Sequence, residues 1–286
     1  MYAITGITGR IGGQLARLLL AQGKPVRAVL RDPSKVAYWE ALGCEIALAD
    51  ITDAPRLADA FRGAEAVFLL VPPIFDPSPG FREARLVCGS FETALETARP
   101  DRILYLSTIG ARAPHENLLS PHETNERVLE HVNLPTTILR PAWFMENASW
   151  DLPSVREQGI IHSFLQPLDR PIPMVATADI ASLAAELIQE KITTHRIINL
   201  ESTRRVSPND LASTFAELLG KPVHAEAIPR DTWESIFRTQ GMNNPAPRIA
   251  MLDGFNQGWI DFEDGDKTSR KGPTSLKTVI EDLLIR

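Results

Sequence analysis

The stretch ITGITGRIGG, residues 4–13, constrains this chain more than any other. Its glycines fall in the pattern Gly6-x-x-Gly9-x-x-Gly12, after an apolar run at Tyr2–Thr5 and at the head of a helical pattern that runs through Gln14–Gln22. Strand, tight turn and helix in that order make the opening unit of a dinucleotide-binding sheet. Gly6 permits the turn, Gly9 lets the backbone approach a pyrophosphate, and Gly12 lets the helix pack close to the strand. The anion then meets the unpaired amides at the helix start. Three glycines alone also describe a plain tight turn, and it is the flanking strand and helix that favour the dinucleotide. On this reading Gly6, Thr8, Gly9, Arg10, Ile11 and Gly12 contact the cofactor.

Beyond the turn, short apolar runs alternate with helical patterns. Strands are expected at Tyr2–Thr5, Val26–Leu30, Glu45–Leu48, Ala66–Val71, Ile103–Ser107 and Thr136–Leu139. These runs lack polar alternation, as strands buried on both faces do. Between them, Gln14–Gln22 stops at Gly23, and Ser34–Leu42 has Asp32 as its cap, Pro33 at its first position and Gly43 as its stop. The pattern predicts an α/β fold with a Rossmann-type doubly wound parallel sheet over residues 1–150. A returning strand is expected near 196–200, and residues 151–286 otherwise form a small, mostly helical C-terminal substrate lobe. Helices are expected at Thr177–Gln189, at Ser207–Leu219 with Ser207 capping and Pro208 at the first position, and at Ser275–Leu284. The segment 243–272, rich in Gly, Asn and Asp, yields no clear element.

Composition narrows the class. The chain has 286 residues, 36 Asp and Glu against 30 Lys and Arg, and no basic run, so it carries no electrostatic footprint for nucleic acid. No apolar run approaches the ~20 residues of a membrane span. The glycine motif begins at residue 6, which leaves no room before it for a signal or transit peptide, so a cytoplasmic chain is expected. Cys44 and Cys88 are isolated and expected to be buried and reduced. The six histidines show no metal-ligand spacing, and no G-x-S-x-G elbow points to hydrolysis.

The end of the second strand speaks to which dinucleotide is bound. NAD sites place an acidic residue there for the ribose hydroxyls. Here the strand runs AVLRDPSK, and its tip is Arg31, with Ser34 and Lys35 within one turn. A guanidinium suits a 2′-phosphate, so NADP(H) is favoured while NAD(H) stays possible. The competing reading makes Arg31 a solvated strand end and Asp32 only a cap. Asp50 and Ile51, after the third strand, fall where an adenine would lie. Val71 and Pro72, in LLVPP, end the fourth strand beside the expected nicotinamide ribose.

Taken together, TGITGRIGG, the Arg31 strand end, LVPPIFDP (70–77) and TTILRPAWFMENAS (136–149) resemble NmrA-like proteins, which are atypical short-chain dehydrogenase/reductases. The resemblance covers about residues 1–240, and the ILRPxxFMEN block is its most specific part. The PP loop, that block and GKPVHAEAIPRDTWESIF (220–237) are similar to ergot-alkaloid reductases of the agroclavine and festuclavine type. HETNERVLEH (122–131) instead resembles the NmrA-like NADPH:quinone reductases. What the resemblance implies is a Rossmann domain with a small C-terminal lobe, and Pro141 and Trp143 against the cofactor. Its functional implication is divided: some members reduce quinones or iminium ions, while NmrA itself binds dinucleotides as a regulator.

One motif is missing. Typical short-chain reductases use a Tyr-x-x-x-Lys pair, whose phenol protonates the alkoxide as hydride arrives. Tyr2, Tyr38 and Tyr105 are followed four residues later by Gly6, Leu42 and Ile109, so the pair exists nowhere. By the resemblance, the lysine position falls on His122 and the tyrosine position on Leu118. Ketone reduction and sugar epimerisation lose their proton relay. Iminium ions and quinones need no acid in the hydride step, because the first is already cationic and the second delocalises its new charge. His122 sits in SPHE, a helix start with Ser120 as cap and Glu123 completing a capping box, where the positive end of the dipole lowers an imidazole pKa. It either orients the nicotinamide ribose or is an exposed helix-end histidine. Ser107 and Thr108, at the tip of the fifth strand, either touch nicotinamide and substrate or are turn residues. Trp143 and Phe144, with Phe75 and Phe81 across the cleft, either sandwich a flat substrate or are core. Glu146-Asn147 is expected to fix the loop after the sixth strand. Two functions remain open: an NADPH-dependent reductase of planar acceptors such as quinones, azo compounds or iminium ions, and a non-enzymatic NADP(H) sensor that binds a protein partner.

Overall fold

Burial of both faces turns the apolar runs of the first half into parallel strands, except at Glu45–Leu48, an edge strand with no fully buried residue. In the computed structural model, which describes every residue except 264, 266 and 286, β1 (Tyr2–Ile4) leads into α1 (Arg10–Ala21) and β2 (Val26–Leu30). The chain continues through α2 (Val36–Ala41), β3 (Glu45–Leu48), α3 (Ala54–Phe61), β4 (Ala66–Leu70), α4 (Arg82–Ala98), β5 (Arg102–Leu106), α5 (Pro121–His131) and β6 (Thr136–Pro141). Next come β7 (Trp143–Phe144), α6 (Leu152–Gln158), β8 (Ile160–Ser163), β9 (Met174–Val175), α7 (Thr177–Leu187) and β10 (Arg196–Ser202). The remainder is α8 (Pro208–Leu219), β11 (His224–Ala227), α9 (Trp233–Thr239), α10 (Ala246–Gln257), β12 (Arg270–Gly272) and α11 (Leu276–Ile285).

The main sheet has eight strands in the order β12-β10-β6-β5-β4-β1-β2-β3, and every pair is parallel. Alternate residues feed two separate cores. Tyr2, Ile4, Ala28, Leu30, Phe68, Leu104 and Leu139 pack with Leu15 and Leu19 of α1 and with α7. Ala3, Val29, Val67, Leu69, Ile103, Tyr105 and Ile138 pack with α3, α4 and α5 on the other face. From β1 the chain moves one way to β2 and β3, then returns to the other side of β1 for β4, β5 and β6. That reversal opens a crevice at the strand C-terminal ends between the loops after β1 and β4.

Several local expectations are met and some are corrected. Asp32 caps the Pro33–Lys35 segment by accepting from the Ser34 amide at 2.9 Å, but that turn is 3-10 and α2 proper begins only at Val36. Ser207 and Asp210 form the reciprocal capping box of α8. The capping box expected at Ser120 is absent. Ser120 is already helical, and its hydroxyl accepts from the Asn117 amide, while Glu123 turns outward to pair with Arg127. A helix and a strand, α10 and β12, emerge from the stretch that showed no pattern. β12 joins the sheet through polar groups. Buried Glu201 of β10 receives Lys271, Arg205 and Ser269, and Asp179 of α7 receives the Thr274 amide and hydroxyl. Residues 151–286 are therefore not all lobe, since α7 packs on α1 and both β10 and β12 extend the sheet. Cys44 and Cys88 are buried free thiols. Among the described residues no helix is long and apolar enough to cross a membrane.

Candidate functional site

The glycine turn is shaped by what its backbone cannot accommodate. The Thr5 hydroxyl donates to the Phe68 carbonyl at 3.0 Å and accepts from the Leu70 amide at 2.9 Å, tying the ends of β1 and β4 together. The chain then reverses at Gly6 with φ +61°, a left-handed conformation that glycine adopts at little cost. A Cβ on Gly12 would lie 2.5 Å from the Gly6 carbonyl oxygen, so only glycine allows α1 to start this close to the turn. Gly9 is the N-cap with no side chain over the helix end, and the first turn of α1 holds no acidic residue. Thr8, Gly9 and Arg10 are exposed along the crevice, and Ile11 and Gly12 are buried behind them. Unpaired amides, the positive end of the dipole and no competing carboxylate together suit a pyrophosphate. The residues present fit a dinucleotide.

At the tip of β2, Arg31 is exposed, as are Ser34 and Lys35. Ser34 donates its hydroxyl proton to Asp32 at 2.8 Å, and that bond with the Ser34 amide holds the Asp32 carboxyl below the usual range. Asp50 accepts the Thr52 hydroxyl at 2.6 Å and its amide at 2.9 Å. Those bonds, and then the charge of Arg31, keep Asp50 ionised. Arg31 thus reaches the field of Asp50 from across the β2–β3 edge. Ile51 and Val71 are half-buried, and Pro72 is exposed.

The floor beyond β5 is a pair of rungs. Tyr105 and Ser107, two apart on the strand, face His122 and Glu126, four apart on α5. The Tyr105 hydroxyl lies 2.8 Å from His122 Nδ1. Burial, reinforced by the charge of Glu126, raises the phenol well above its ordinary value, while burial pulls His122 down to about 4 against that same charge. Phenol and imidazole are both neutral near pH 7, and among the described residues the buried phenol has no other acceptor for its proton, so Tyr105 donates to Nδ1 and the ring proton of His122 sits on Nε2. Burial, not the helix start, is the main cause of the His122 shift. Ser107 donates to Glu126 at 2.6 Å, so its proton is committed there. Glu126 is fully buried and takes Arg140 Nε at 2.8 Å and Arg112 Nε at 2.9 Å. Burial pushes its carboxyl up, but the bond and charge of Arg140, then Ser107 and Arg112, hold it below the usual range. Glu126, Arg140 and Tyr105 belong to no catalytic motif of the sequence, yet they hold Ser107 and His122 through these bonds. The matched spacings on β5 and α5 were the signal that could have found them. Thr108 is half-buried at the strand tip.

Two loops close the crevice. Pro141 is buried at the end of β6, and Trp143 and Phe144 of β7 are half-buried, with Trp143 edge-on to Phe255 of α10 at 5.1 Å. Glu146 accepts the Thr177 amide at 2.8 Å, and this carboxylate at the start of α7 anchors the loop after β6. Phe75, in the loop after β4, lies edge-on to Trp150 at 6.0 Å, and Phe81 heads α4 with φ +54°. Among the described residues no ring contact joins Phe75 or Phe81 to Trp143 or Phe144. Two cavities, of about 350 Å³ between α9 and α10 and about 260 Å³ beside Arg112, Arg140 and Trp259, contain no residue of the glycine turn. Among the described residues no cluster of His, Cys, Asp or Glu could hold a metal ion.

An open parallel sheet with a glycine turn at its switch point defines a dinucleotide-binding protein. The chain matches the NAD(P)H-binding family model over residues 6–191, and it belongs to that family, in its NmrA-like, atypical short-chain dehydrogenase/reductase branch. It is 25% identical over 249 residues to an NAD(P)H azoreductase of Xenophilus azovorans, covering 85% of this chain and 82% of the relative. It is likewise 25% identical over 275 residues to quinone oxidoreductase 2 of Escherichia coli strain K12, covering 94% and 93%. The fold matches the crystal structure of an NADPH-dependent quinone oxidoreductase from Escherichia coli complexed with NADPH, with a TM-score of 0.82 and 23% identity over 99% of this chain and 100% of that one.

Proposed function

We propose that this protein is an NADPH-dependent reductase of planar acceptors, of which quinones are the leading class and azo compounds and iminium ions the others. The observation that carries the reading is the state of the one tyrosine near the nicotinamide end. Tyr105 is buried and spends its proton on His122, so no phenol is free to protonate an alkoxide. A substrate that accepts hydride without a simultaneous proton is what such a site can serve. The likeness to the azoreductase and the quinone oxidoreductase, over more than four-fifths of each chain, supports the same class.

When bound, the nicotinamide supplies the hydride. The turn at Gly6–Gly12 holds the pyrophosphate, Arg31 with Lys35 takes the 2′-phosphate, and Asp50 and Ile51 border the adenine. Val71, Pro72, Pro141 and Trp143 bound the nicotinamide side. His122 offers Nε2–H as a hydrogen-bond donor for the ribose in a tautomer that Tyr105 fixes, and Ser107 and Thr108 flank it. Phe75, Phe81 and Phe144 are the candidate substrate-facing rings. For a quinone, hydride and one proton from solvent give the hydroquinone, which balances the reaction. The absent acid equally suits a second reading, a sensor that binds NADP(H) together with a protein partner and turns nothing over.

Nicotinamide absorbance followed over a panel of quinones, azo dyes and cyclic iminium ions tests the proposal. Turnover with any acceptor supports the reductase. Tight NADPH binding with no turnover across the panel overturns it in favour of the sensor. Arg31→Glu is expected to weaken NADPH on the order of tenfold or more while leaving NADH nearly unchanged, read as two dissociation constants. Equal losses for both cofactors would remove Arg31 from the 2′-phosphate.

A further inference from the structure

The reductase reading leaves Arg248 unused. Arg248 lies in the first turn of α10, half-buried, and among the described residues no carboxylate pairs with it. Its guanidinium carbon stands 4.4 Å from the Phe237 ring centroid and 5.7 Å from that of Phe75. Its polar contact is Met242 Sδ at 3.7 Å, a weak acceptor. Aromatic faces offset only part of what a guanidinium loses on leaving water. Burial accordingly pulls Arg248 below its ordinary value with no opposing charge.

Its location is tightly specified. Asp76, next to Phe75, accepts the amides of Asn243 at 3.0 Å and Asn244 at 2.7 Å, pinning the loop after β4 to the entry of α10. The Leu118 amide donates to the Pro247 carbonyl at 2.9 Å, which ties in the loop before α5. One face of α10 then runs from Arg248 through buried Leu252 to Phe255, which packs on Trp143 after β6. Arg248 is therefore held among loops that leave the C-terminal ends of β4, β5 and β6, beside the exposed ring of Phe75, which in turn meets the exposed ring of Trp150. The Asp76 carboxylate pinned into this junction is already saturated by backbone amides and the Asn243 side chain.

We infer that Arg248 is the specificity residue of this crevice: it binds an oxyanion carried by the flat substrate, a carboxylate, sulfonate or phosphate, while Phe75 and Trp150 cover the ring system. The inference rests on the reductase reading for its substrate but not for its test. A planar guanidinium takes an oxyanion through two parallel hydrogen bonds, and the surrounding rings lower the local dielectric that would otherwise weaken them. A neutral ligand of the same shape gains only the ring contacts.

The test is calorimetric binding of naphthalene-2-sulfonate and, separately, naphthalene-2-methanol to the protein saturated with NADP⁺, with KM values for 1,4-naphthoquinone and its 2-sulfonate measured in parallel. The wild type is expected to bind the sulfonate at least about tenfold more tightly than the alcohol, the worth of one charge-assisted pair. Arg248→Met should abolish that preference without changing alcohol affinity, and Arg248→Lys should keep part of it. Equal affinity of the wild type for the two ligands, or equal losses for both in Arg248→Met, would overturn the assignment and leave Arg248 a packing residue. If Arg248→Met does not fold, an unchanged sulfonate preference in Arg248→Lys with the planar fork gone overturns the bidentate pairing, and a partial loss supports it. A panel without turnover would sink the reductase reading alone, because the binding comparison needs none.

Discussion

Asp151 shows how a single carboxyl can set a pH dependence. It follows Trp150 and stands at the N-cap of α6 without a side-chain capping bond, and burial alone raises it from 3.8 to about 7. Its folded value lies above its unfolded one, so the folded state holds the extra proton between the two. The associated stability is full below pH 3.8 and declines as pH rises through about 7. Asp151→Asn removes the ionisation, and we expect it to be more stable than the wild type by on the order of 4 kcal/mol near pH 8 and closely matched near pH 3.5. Urea unfolding at the two pH values checks this. A constant difference between variant and wild type at both would mean that Asp151 does not titrate between them. Arg31 is the opposite case, a charge left in water at the sheet edge. Its side chain fills no packing site, so Arg31→Glu should lower stability only slightly, through the lost attraction for Asp32 and Asp50.

At the scale of elements, the tightest constraint is the contact of α1 with the turn before it. Gly12→Ala places a methyl 2.5 Å from the Gly6 carbonyl oxygen, so α1 must retreat or the turn must deform. Overpacking of this kind costs about 1–3 kcal/mol. It also displaces the amides aimed at the pyrophosphate, and NADPH affinity is expected to fall on the order of tenfold or more. Unchanged affinity, measured by fluorescence titration, would mean the amides at the head of α1 do not carry the phosphates. Local chemistry made these elements readable. Strands β1 to β6 announce themselves as apolar runs, and α8 by its Ser207-Pro208-x-Asp210 entry. At Ser120 the same letters misled, because the preceding Asn117 competes for the hydroxyl and the helical backbone of Ser120 turns it away from the helix amides. Both residues lie within four positions, but the letters do not say which backbone conformation Ser120 adopts, and that conformation decides which amide its hydroxyl meets.

Across the whole molecule, β12 closes the far edge of the sheet and is held by charge. Glu201 is 1% exposed and gathers Lys271 and Arg205, each of which keeps some contact with water. Glu201→Ala is expected to cost about 2 kcal/mol, less than a wholly buried pair, and to raise amide exchange over Arg270–Gly272 selectively. Exchange rising equally throughout the sheet would show that the edge does not open on its own. The three residues Arg270-Lys271-Gly272 carry no apolar run, so nothing local marks them as a strand. The same holds for the Tyr105–His122 and Ser107–Glu126 rungs and for Arg248, whose partners or lack of them lie on distant segments. What this sequence determined by itself was the set of features whose cause is local: the glycine turn, the strand–helix alternation, the basic tip at Arg31 and the family resemblance. Tertiary structure alone decided which protons are free, which charges are paired and which are left unanswered. Burial and partner choice depend on segments brought together from across the chain, and no short stretch of residues encodes them.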